Sequence, residues 1–408
     1  MKRWYPYKQY VLVLFLCLIV TTSSHAFSIL AHEAIIDAAW TNDLRPILAK
    51  HYPDATTSQL DSARAYAYGG SLVADIGYMP FANQYFSNLL HYVRSGDFVN
   101  TLVEEACTLN EYAFALGAIS HYIADKYGHA LATNLSVSLF YPKLKKKFGE
   151  VVTYDDDHTS HSAMEFAFDV IQTVKGNYAS IAYHNFSGFN IEVPLLKRVF
   201  RKIYGQSLQE VFPNIESTIS NFRWAVSNLL PELARIAWKA DKEGMKQSRN
   251  LTVRAGFCDK MPGQAFDKKV GKVRSRADLP ARSVAFLIQS MPKIGPLKKL
   301  KFRYPGPTCE QLFLQSMDSI AVNYAAALRQ ADNCQLALMN INFDTGRPSA
   351  VSEYALADKT YNDWTERLYS DKSIPINLDI QESILSFYQK NKLREPTAEL
   401  KILAAQSH

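Results

Sequence analysis

HYIADKYGH, at residues 121–129, is the stretch that decides the fold of this chain. It places His121, Asp125 and His129 at successive spacings of four residues. On an α-helix such positions drift only about 80° around the axis, so the three side chains share one face. Apolar residues before and within the stretch recur at spacings of three and four. The stretch therefore predicts a buried helix that carries a row of ionisable side chains into the core.

The same helical period extends over residues 27–244. Apolar residues recur there at spacings of three and four, as in Ala34, Ile35, Ala38 and Ala39, and alternating strand patterns are scarce. The chain has 408 residues, of which 48% are hydrophobic, and this is enough for a large buried core. We therefore predict an all-α domain over residues 27–244.

The composition changes after residue 244. Residues 245–308 are dense in Lys, Arg, Pro and Gly, and helix breakers interrupt each short apolar run. We predict an irregular basic segment or linker there. Helical patterns return in residues 309–408, which we predict to be a mainly helical extension, with a turn at the sequence NFDTG of residues 342–346.

The first 26 residues have the features of a cleaved signal peptide. Three basic side chains lie within residues 2–8, residues 10–20 are an unbroken apolar run, and the small residues Ser24 and Ala26 occupy positions −3 and −1 of a cleavage site. The apolar run is too short to span a bilayer comfortably, and a buried N-terminal helix is the alternative. We therefore expect an exported protein, periplasmic or extracellular, whose mature chain begins at Phe27.

Cleavage before Phe27 would leave four cysteines in the mature chain: Cys107, Cys258, Cys309 and Cys334. An even number of cysteines in an exported protein favours disulfides. Cys309 and Cys334 are the pair closest in sequence and therefore the favoured bridge. The alternative is a set of four free, buried thiols.

Further histidines and carboxylates lie in apolar surroundings within the first 170 residues. His161 and Glu165 repeat the spacing of four, Asp75 and His91 lie upstream, and His32 is the sixth residue of the expected mature chain. An imidazole and a carboxylate one helical turn apart suit zinc. Each pair alone is weak evidence, because a buried histidine is usually a hydrogen-bonded core residue. Together they indicate a metal site, since burying so many ionisable groups without a cation would be costly.

These residues follow the order Asp…His…His-x-x-x-Asp…His…His-x-x-x-Glu, with one more histidine near the mature N-terminus. Over roughly residues 27–170, this order resembles the zinc-dependent phospholipase C superfamily, whose fold the fungal single-strand-specific zinc nucleases share. The resemblance implies an all-α fold with a trinuclear zinc centre. It implies that the first zinc is held by Asp75, His91, His121 and Asp125, the second by His129, His161 and Glu165, and the third by His32, by Asp125 as a bridge, and by the amine and carbonyl of Phe27.

Two features depart from the family pattern. Family members usually begin with Trp, where this chain has Phe27, and the change has little weight because the backbone would be the ligand. Only three residues separate Asp125 from His129, where the well-known members have five. His158, three residues before His161, is therefore a second candidate for the second zinc. A surface position for His158, which follows three aspartates, is the alternative.

The resemblance also implies hydrolysis of phosphate esters. Paired zinc ions bridged by a carboxylate activate water near neutral pH and neutralise charge on a phosphate. We assign Asp125 as that bridge, and Asp75 as a zinc ligand whose second oxygen orients or deprotonates the attacking water. The sequence therefore predicts an exported zinc-dependent phosphodiester hydrolase of the phospholipase C kind, with phospholipid head groups as the favoured substrate.

Two alternatives stay open. A single-strand nuclease or nucleotidase on the same fold would bind nucleic acid, and Tyr78, Phe81, Tyr85 and Phe86 are either base-stacking residues or core. A non-catalytic, secreted metal-binding helical module would have few metals and a closed site. The mixed basic and apolar residues 284–300 are either a peripheral membrane contact or a solvated loop. The net charge of +6 permits contact with anionic partners without requiring it.

Overall fold

The computed structural model of the protein describes residues 28–79, 82–179, 184, 187–249, 256, 279–280, 282–283, 286, 302–370 and 376–389. The predicted signal peptide, Phe27, Cys258 and most of the predicted basic segment lie outside the described residues. The proposed membrane contact of residues 284–300 also lies outside them, apart from Phe286. None of the described helices is both long enough and apolar enough to cross a membrane.

The described chain is almost entirely helical, which confirms the all-α prediction. Short 3-10 or π-helical turns extend or link several helices, at Val73–Tyr78 (3-10) and at Trp40–Leu44, His129–Thr133 and Ala225–Leu229 (π). Among the described residues, the strands are β1 (Ile341–Asn342) and β2 (Arg347–Pro348), an antiparallel hairpin with Ile341 opposite Pro348. The α-helices are α1 (Ile29–Ala39), α2 (Arg45–His51), α3 (Thr57–Leu72), α4 (Gln84–Tyr92), α5 (Ser95–Glu105), α6 (Leu109–Gly128), α7 (Asn134–Phe140), α8 (Pro142–Phe148), α9 (His158–Lys175), α10 (Val193–Tyr204), α11 (Leu208–Val211), α12 (Ile215–Trp224), α13 (Leu230–Ala240), α14 (Lys242–Arg249), α15 (Pro307–Asp332), α16 (Ala355–Ser370) and α17 (Leu378–Gln389).

The helix α6 runs through the middle of the core. A capping box closes its N-terminus: the Thr108 hydroxyl accepts a hydrogen bond from the Glu111 N–H at 3.3 Å, and the Glu111 carboxylate accepts one from the Thr108 N–H at 3.3 Å. Every residue from Glu111 to Asp125 is buried. A helix that is buried on all sides must be covered by other elements, and these elements deliver the remaining candidate ligands.

The helix α3 crosses α6 with the two backbones in direct contact. A Cβ atom at Gly70 would lie 1.9 Å from the carbonyl oxygen of Phe114, and Gly117 of α6 lies equally close to the backbone of α3. Only glycine allows such an approach. The crossing brings the carbonyl oxygen of Ser71 to 2.9 Å from Nδ1 of His121. The packing of two helices therefore also orients one candidate ligand.

The C-terminal part of the described chain packs on the same core. The Tyr324 hydroxyl of α15 donates to the carbonyl oxygen of Leu116 in α6 at 2.9 Å. The Trp364 indole of α16 donates to the carbonyl oxygen of Tyr204 at 2.9 Å. Buried side chains from both parts belong to one hydrophobic cluster. The domain boundaries at residues 244 and 308 stay predictions.

The predicted Cys309–Cys334 disulfide is wrong. Both residues are free thiols, and so is Cys107. Cys309 lies near the start of α15 and Cys334 just beyond its end, so about 25 residues of helix hold them roughly 35 Å apart. A disulfide needs Cα atoms within about 7 Å. The Cys309 thiol instead donates to the carbonyl oxygen of Ser136 at 3.8 Å. Cys107 and Cys334 are exposed, so the alternative of buried thiols also fails for these two.

Candidate metal centre

Eight of the nine predicted metal ligands meet in the core beside α6. They come from α1, the turn Val73–Tyr78, α4, α6, the turn His129–Thr133 and α9. Each of the eight is 3% exposed or less. The eight are His32, Asp75, His91, His121, Asp125, His129, His161 and Glu165. The ninth, Phe27, lies outside the described residues.

The Asp125 carboxylate lies at the centre of this cluster. Its Oδ1 is 3.4 Å from Nε2 of His32 and 3.8 Å from Nε2 of His129. Its Oδ2 is 3.2 Å from Nε2 of His121 and 3.4 Å from Nε2 of His91. Each oxygen therefore faces a different pair of imidazoles, which is the arrangement that a bridging carboxylate requires.

The candidate ligand atoms form three groups, in each of which all atoms lie within 4.8 Å of one another. The groups are His32–His121–Asp125, Asp75–His91–His121 and His129–His161–Glu165. His121 belongs to the first two groups, and its imidazole is stacked on that of His32 with centroids 4.4 Å apart. The third group coincides with the ligand set expected for the second zinc. The role of these residues as ligands stays a prediction.

Three imidazoles are oriented by a hydrogen bond on the side away from the cluster. The partners are oxygens that only accept, so the bonded ring nitrogen carries the hydrogen. The other nitrogen then keeps its lone pair, and this lone pair points towards the carboxylates of the cluster. In metal sites, hydrogen bonds on the outer side of a histidine fix its tautomer in the same way. The contacts are His91 Nδ1 to Ser87 O at 2.8 Å, His121 Nδ1 to Ser71 O at 2.9 Å, and His161 Nε2 to Asn134 Oδ1 at 2.9 Å.

Several buried polar atoms of the cluster make no hydrogen bond with any described residue. They include both oxygens of Asp75 and of Asp125, Nε2 of His91 and of His121, Nδ1 of His161 and Oε1 of Glu165. Buried polar atoms normally make hydrogen bonds, so a set of atoms that make none and converge on one place needs an explanation. Imidazole nitrogen and carboxylate oxygen are zinc ligands, and a cation would satisfy all of these atoms at once. The residues present therefore fit a zinc centre.

Burial shifts the pKa values in the cluster in opposite directions. It lowers the pKa of His32 and of His129 to about 4, and that of His161 to about 3. It raises the pKa of Asp75 to about 7 and that of Glu165 well above its usual value. His32, His129 and His161 are therefore held in the neutral form that binds metals, whereas Asp75 and Glu165 lack the counter-charge that would keep them ionised. A bound cation would supply that charge. Asp125 and His121 behave differently: the carboxylates of Asp125 and Asp75 outweigh burial and raise the pKa of His121 to about 9, and His121 in turn holds the pKa of Asp125 well below its usual value.

The structure groups His129, and not His158, with His161 and Glu165. Nε2 of His129 is 3.7 Å from Oε1 of Glu165. The short spacing after Asp125 is accommodated because α6 continues directly into the π-helical turn that begins at His129. His158 is exposed, and its ring packs on that of Tyr154 with centroids 4.2 Å apart.

The aromatic residues between Asp75 and His91 belong to the core. Tyr78, Tyr85 and Phe86 are buried. The Tyr78 ring lies 5.1 Å from that of His91, and an apolar neighbour of this kind limits the access of water to a metal site. Phe81 lies outside the described residues. Base stacking by the three described rings would require them to be exposed, so they serve as packing residues.

Sequence reasoning missed two polar residues that lie beside candidate ligands. Asn134 contacts His161, as described above, and Oδ1 of Asp344 lies 3.5 Å from Nδ1 of His129. Neither residue forms a His-and-carboxylate pair with a neighbour in sequence. The position of Asn134 five residues after His129 is a weak signal, and the turn sequence around Asp344 carries none.

Residues 31–214 match a family model whose description is zinc dependent phospholipase C. This part of the chain is similar to that family. The resemblance found in the sequence is thereby confirmed. No curated protein and no solved structure gave a match. All eight described candidate ligands lie inside the matched region, whereas Asp344 lies outside it.

Asp125→Asn is expected to lower the zinc content of the candidate centre by more than one equivalent. An amide is a poor bridging ligand, and the two Asp125 oxygens face imidazoles of different groups. Elemental analysis of the purified protein measures the zinc content per chain. Asp332→Asn is the control, because Asp332 pairs with Lys50 at 2.8 Å near the surface and should leave the content unchanged. A wild-type content in Asp125→Asn would contradict the bridging role.

Proposed function

We propose that this protein is a zinc-dependent hydrolase of phosphate esters that cleaves the phosphodiester of phospholipid head groups through a centre of up to three zinc ions. One observation carries the proposal. Within a region of the zinc-dependent phospholipase C family, the buried Asp125 carboxylate lies between two pairs of imidazoles, and neither of its oxygens accepts a hydrogen bond from the described residues. A carboxylate that bridges two metal ions holds them as a clamp for an in-line displacement at phosphorus.

The described residues have different roles in this proposal. Zinc ions held by the three groups would supply Lewis-acid charge that polarises the phosphate and lowers the pKa of water. Asp125 fixes the groups relative to one another. Asp75 is the candidate general base: its Oδ1 is 3.6 Å from Nε2 of His91, and its Oδ2 is 4.0 Å from Nδ1 of His121. Because neither oxygen accepts a hydrogen bond from the described residues, one is available to orient a water molecule and take its proton.

The proposal includes the backbone of Phe27 as a ligand, and therefore cleavage and export to the periplasm or the medium. The chain just after this residue is firmly held: the Ser28 hydroxyl donates to one oxygen of Asp169, and the Leu30 N–H donates to the other at 3.1 Å. Ser28 is buried, and His32 lies one turn further along α1 in the metal centre. This anchoring supports a role for the new amine and carbonyl in completing the third zinc site.

A basic and apolar surface supports contact with a phospholipid membrane. Leu131, Leu139 and Val151 are 41%, 45% and 50% exposed. The helix α8 lies between the last two in sequence and buries none of its residues. Its lysines are Lys143, Lys145, Lys146 and Lys147. Exposed leucines that are close in sequence to lysines suit the interface of an anionic bilayer, where the apolar groups insert and the ammonium groups meet phosphates.

The helix α7 connects this surface to the metal centre. Leu139 is exposed on its outer side, whereas Asn134 is buried on its inner side and contacts His161. The surface therefore backs directly onto the third ligand group. We propose that it docks on anionic phospholipid. The contact predicted for residues 284–300 stays a separate prediction.

The mature protein loaded with zinc is expected to release a phosphorylated head group and diacylglycerol from a short-chain phosphatidylcholine. A chelator should abolish this activity, and added zinc should restore it. Product analysis by mass spectrometry is the measurement, with single-stranded DNA as the parallel substrate. Nucleotide products in place of diacylglycerol would favour the nuclease alternative. A zinc-loaded protein that cleaves neither substrate would favour the alternative of a non-catalytic metal-binding module.

A chain that begins at Phe27 is expected to bind more zinc than the same chain with Ala26 retained, because an added residue would convert the amine ligand into an amide. The comparison of zinc content per chain measures this difference. A chain that begins at Ser28 is a further control, since it offers an amine at a shifted position. Equal zinc content in all three proteins would remove the N-terminal ligand from the proposal.

The double substitution Leu131→Ser and Leu139→Ser is expected to weaken binding to vesicles of phosphatidylcholine and phosphatidylglycerol by about tenfold or more, since each half-exposed leucine contributes roughly 1 kcal/mol on insertion. Sedimentation with the vesicles measures the binding. Turnover of a monomeric soluble substrate should not change. Leu378→Ser is the matched control, because Leu378 is 70% exposed on α17. Unchanged vesicle binding by the double variant would rule out this docking surface.

A further inference from the structure

The β1–β2 hairpin is fixed against the elements that carry the metal ligands. The Ser95 hydroxyl donates to the carbonyl oxygen of Ile341 at 2.6 Å and accepts from its N–H at 3.0 Å. The Phe343 N–H donates to the carbonyl oxygen of His91 at 3.2 Å. Gly346 has a positive φ of 68°, and a Cβ there would lie 2.6 Å from the backbone of α6. The hairpin therefore has little freedom to shift relative to the centre.

The Asp344 side chain at the tip of this hairpin is buried and held in one orientation. Its Oδ2 accepts from the Tyr92 hydroxyl at 2.8 Å and from the Tyr354 hydroxyl at 2.5 Å. Its N–H donates to Oδ1 of Asn342 at 2.8 Å. Its Oδ1 accepts no hydrogen bond from the described residues and lies 3.5 Å from Nδ1 of His129. Three contacts thus aim one carboxylate oxygen at the outer nitrogen of a candidate ligand.

We infer that Asp344 is a positioning residue for the His129–His161–Glu165 group, supplied by a part of the chain outside the family match. The inference rests on the proposed zinc centre. A carboxylate oxygen facing Nδ1 favours the tautomer with hydrogen on Nδ1, so Nε2 keeps its lone pair. That Nε2 is the nitrogen that faces Asp125 at 3.8 Å and Glu165 at 3.7 Å.

The backbone of Asp344 acts on the second imidazole of the same group. Its carbonyl oxygen accepts from Nδ2 of Asn134 at 2.8 Å, so Oδ1 of Asn134 points towards Nε2 of His161 at 2.9 Å. The amide cannot turn over without losing both contacts. One residue therefore sets the tautomer of both imidazoles in the group, through its side chain at His129 and through its backbone at His161.

The side chain of Asp344 should affect one group of ligands and spare the others. His91 and His121 donate their outer hydrogen bonds to the carbonyl oxygens of Ser87 and Ser71, and neither bond involves a hairpin side chain. Loss of the carboxylate should therefore selectively weaken the binding of one zinc equivalent. General destabilisation of the fold would weaken all equivalents together, and this difference makes the inference testable.

The test is zinc binding to the full mature chain in competition with a chromogenic chelator. Asp344→Asn is expected to weaken one equivalent about 10–100-fold, the usual effect of losing an outer-shell partner. The other equivalents should stay within about twofold of the wild type. An amide NH2 facing Nδ1 would favour the opposite tautomer, which takes the lone pair away from Nε2.

A double-mutant cycle assigns the affected equivalent. In a His129→Gln background, Asp344→Asn should cause no further loss of zinc affinity, because its target is gone. In a His32→Gln background, the effect of Asp344→Asn should persist in full. Trp364→Phe is the structural control, since it removes the hydrogen bond to Tyr204 and should lower the melting temperature without a selective change in zinc affinity.

Wild-type affinities in a folded Asp344→Asn protein would overturn the inference, and so would an effect that survives in the His129→Gln background. If Asp344→Asn does not fold, Tyr354→Phe replaces it. That variant removes one hydroxyl from Oδ2, keeps the carboxylate, and should weaken the same equivalent by less than tenfold; unchanged affinities would again overturn the inference. A wild-type chain that binds no zinc would overturn the proposed function as well, which separates the two failures.

Discussion

A carboxylate buried among imidazoles is the constraint on which this fold depends. Asp125 is fully buried, and four histidines from different parts of the chain surround its two oxygens. Removing an ionised carboxylate from water costs several kcal/mol of free energy, unless a nearby opposite charge in good geometry offsets this cost. The arrangement is stable only if the helices that carry the histidines are held rigidly. The backbone contact of α3 with α6 and the capping box at Thr108 meet that requirement.

The sequence predicts most of the centre because two periodicities coincide on α6. The spacing of four that aligns His121, Asp125 and His129 is also a spacing that aligns apolar residues, so the same helix is buried and carries candidate ligands. The choice between His129 and His158 depended on how the chain continues after Gly128, which spacing does not specify. The predicted Cys309–Cys334 disulfide is wrong for a related reason. The two cysteines are close in sequence, but the straight helix α15 between them holds them far apart in space.

A part-buried histidine outside the centre shows why low exposure and acidic neighbours alone do not identify a ligand. Nδ1 of His184 lies 3.2 Å from Glu33, and its Nε2 lies 2.8 Å from Asp37. Burial lowers the pKa of His184, but the two carboxylates outweigh burial and raise it to about 9. Both nitrogens therefore donate, and the ring has no lone pair left for a metal. In the metal centre the outer nitrogen of His91 donates to a carbonyl oxygen, and its inner nitrogen is left to bind. The pKa of His121 is also raised to about 9, but its outer nitrogen likewise donates to a carbonyl oxygen, so a bound cation need displace only the proton on its inner nitrogen. That distinction needs coordinates, since the sequence around both kinds of histidine is alike.

The position of the hairpin late in the chain also sets an order of assembly. Asn134 and Asp344 are 210 residues apart in sequence, yet their contact completes the surroundings of His161. Contacts across so long a loop carry a large entropy cost and form late in folding. During synthesis, every candidate ligand up to Glu165 emerges well before the segment that covers it. The candidate ligands are thus synthesised before the hairpin that contacts their surroundings. The centre becomes rigid only once that hairpin has packed against it.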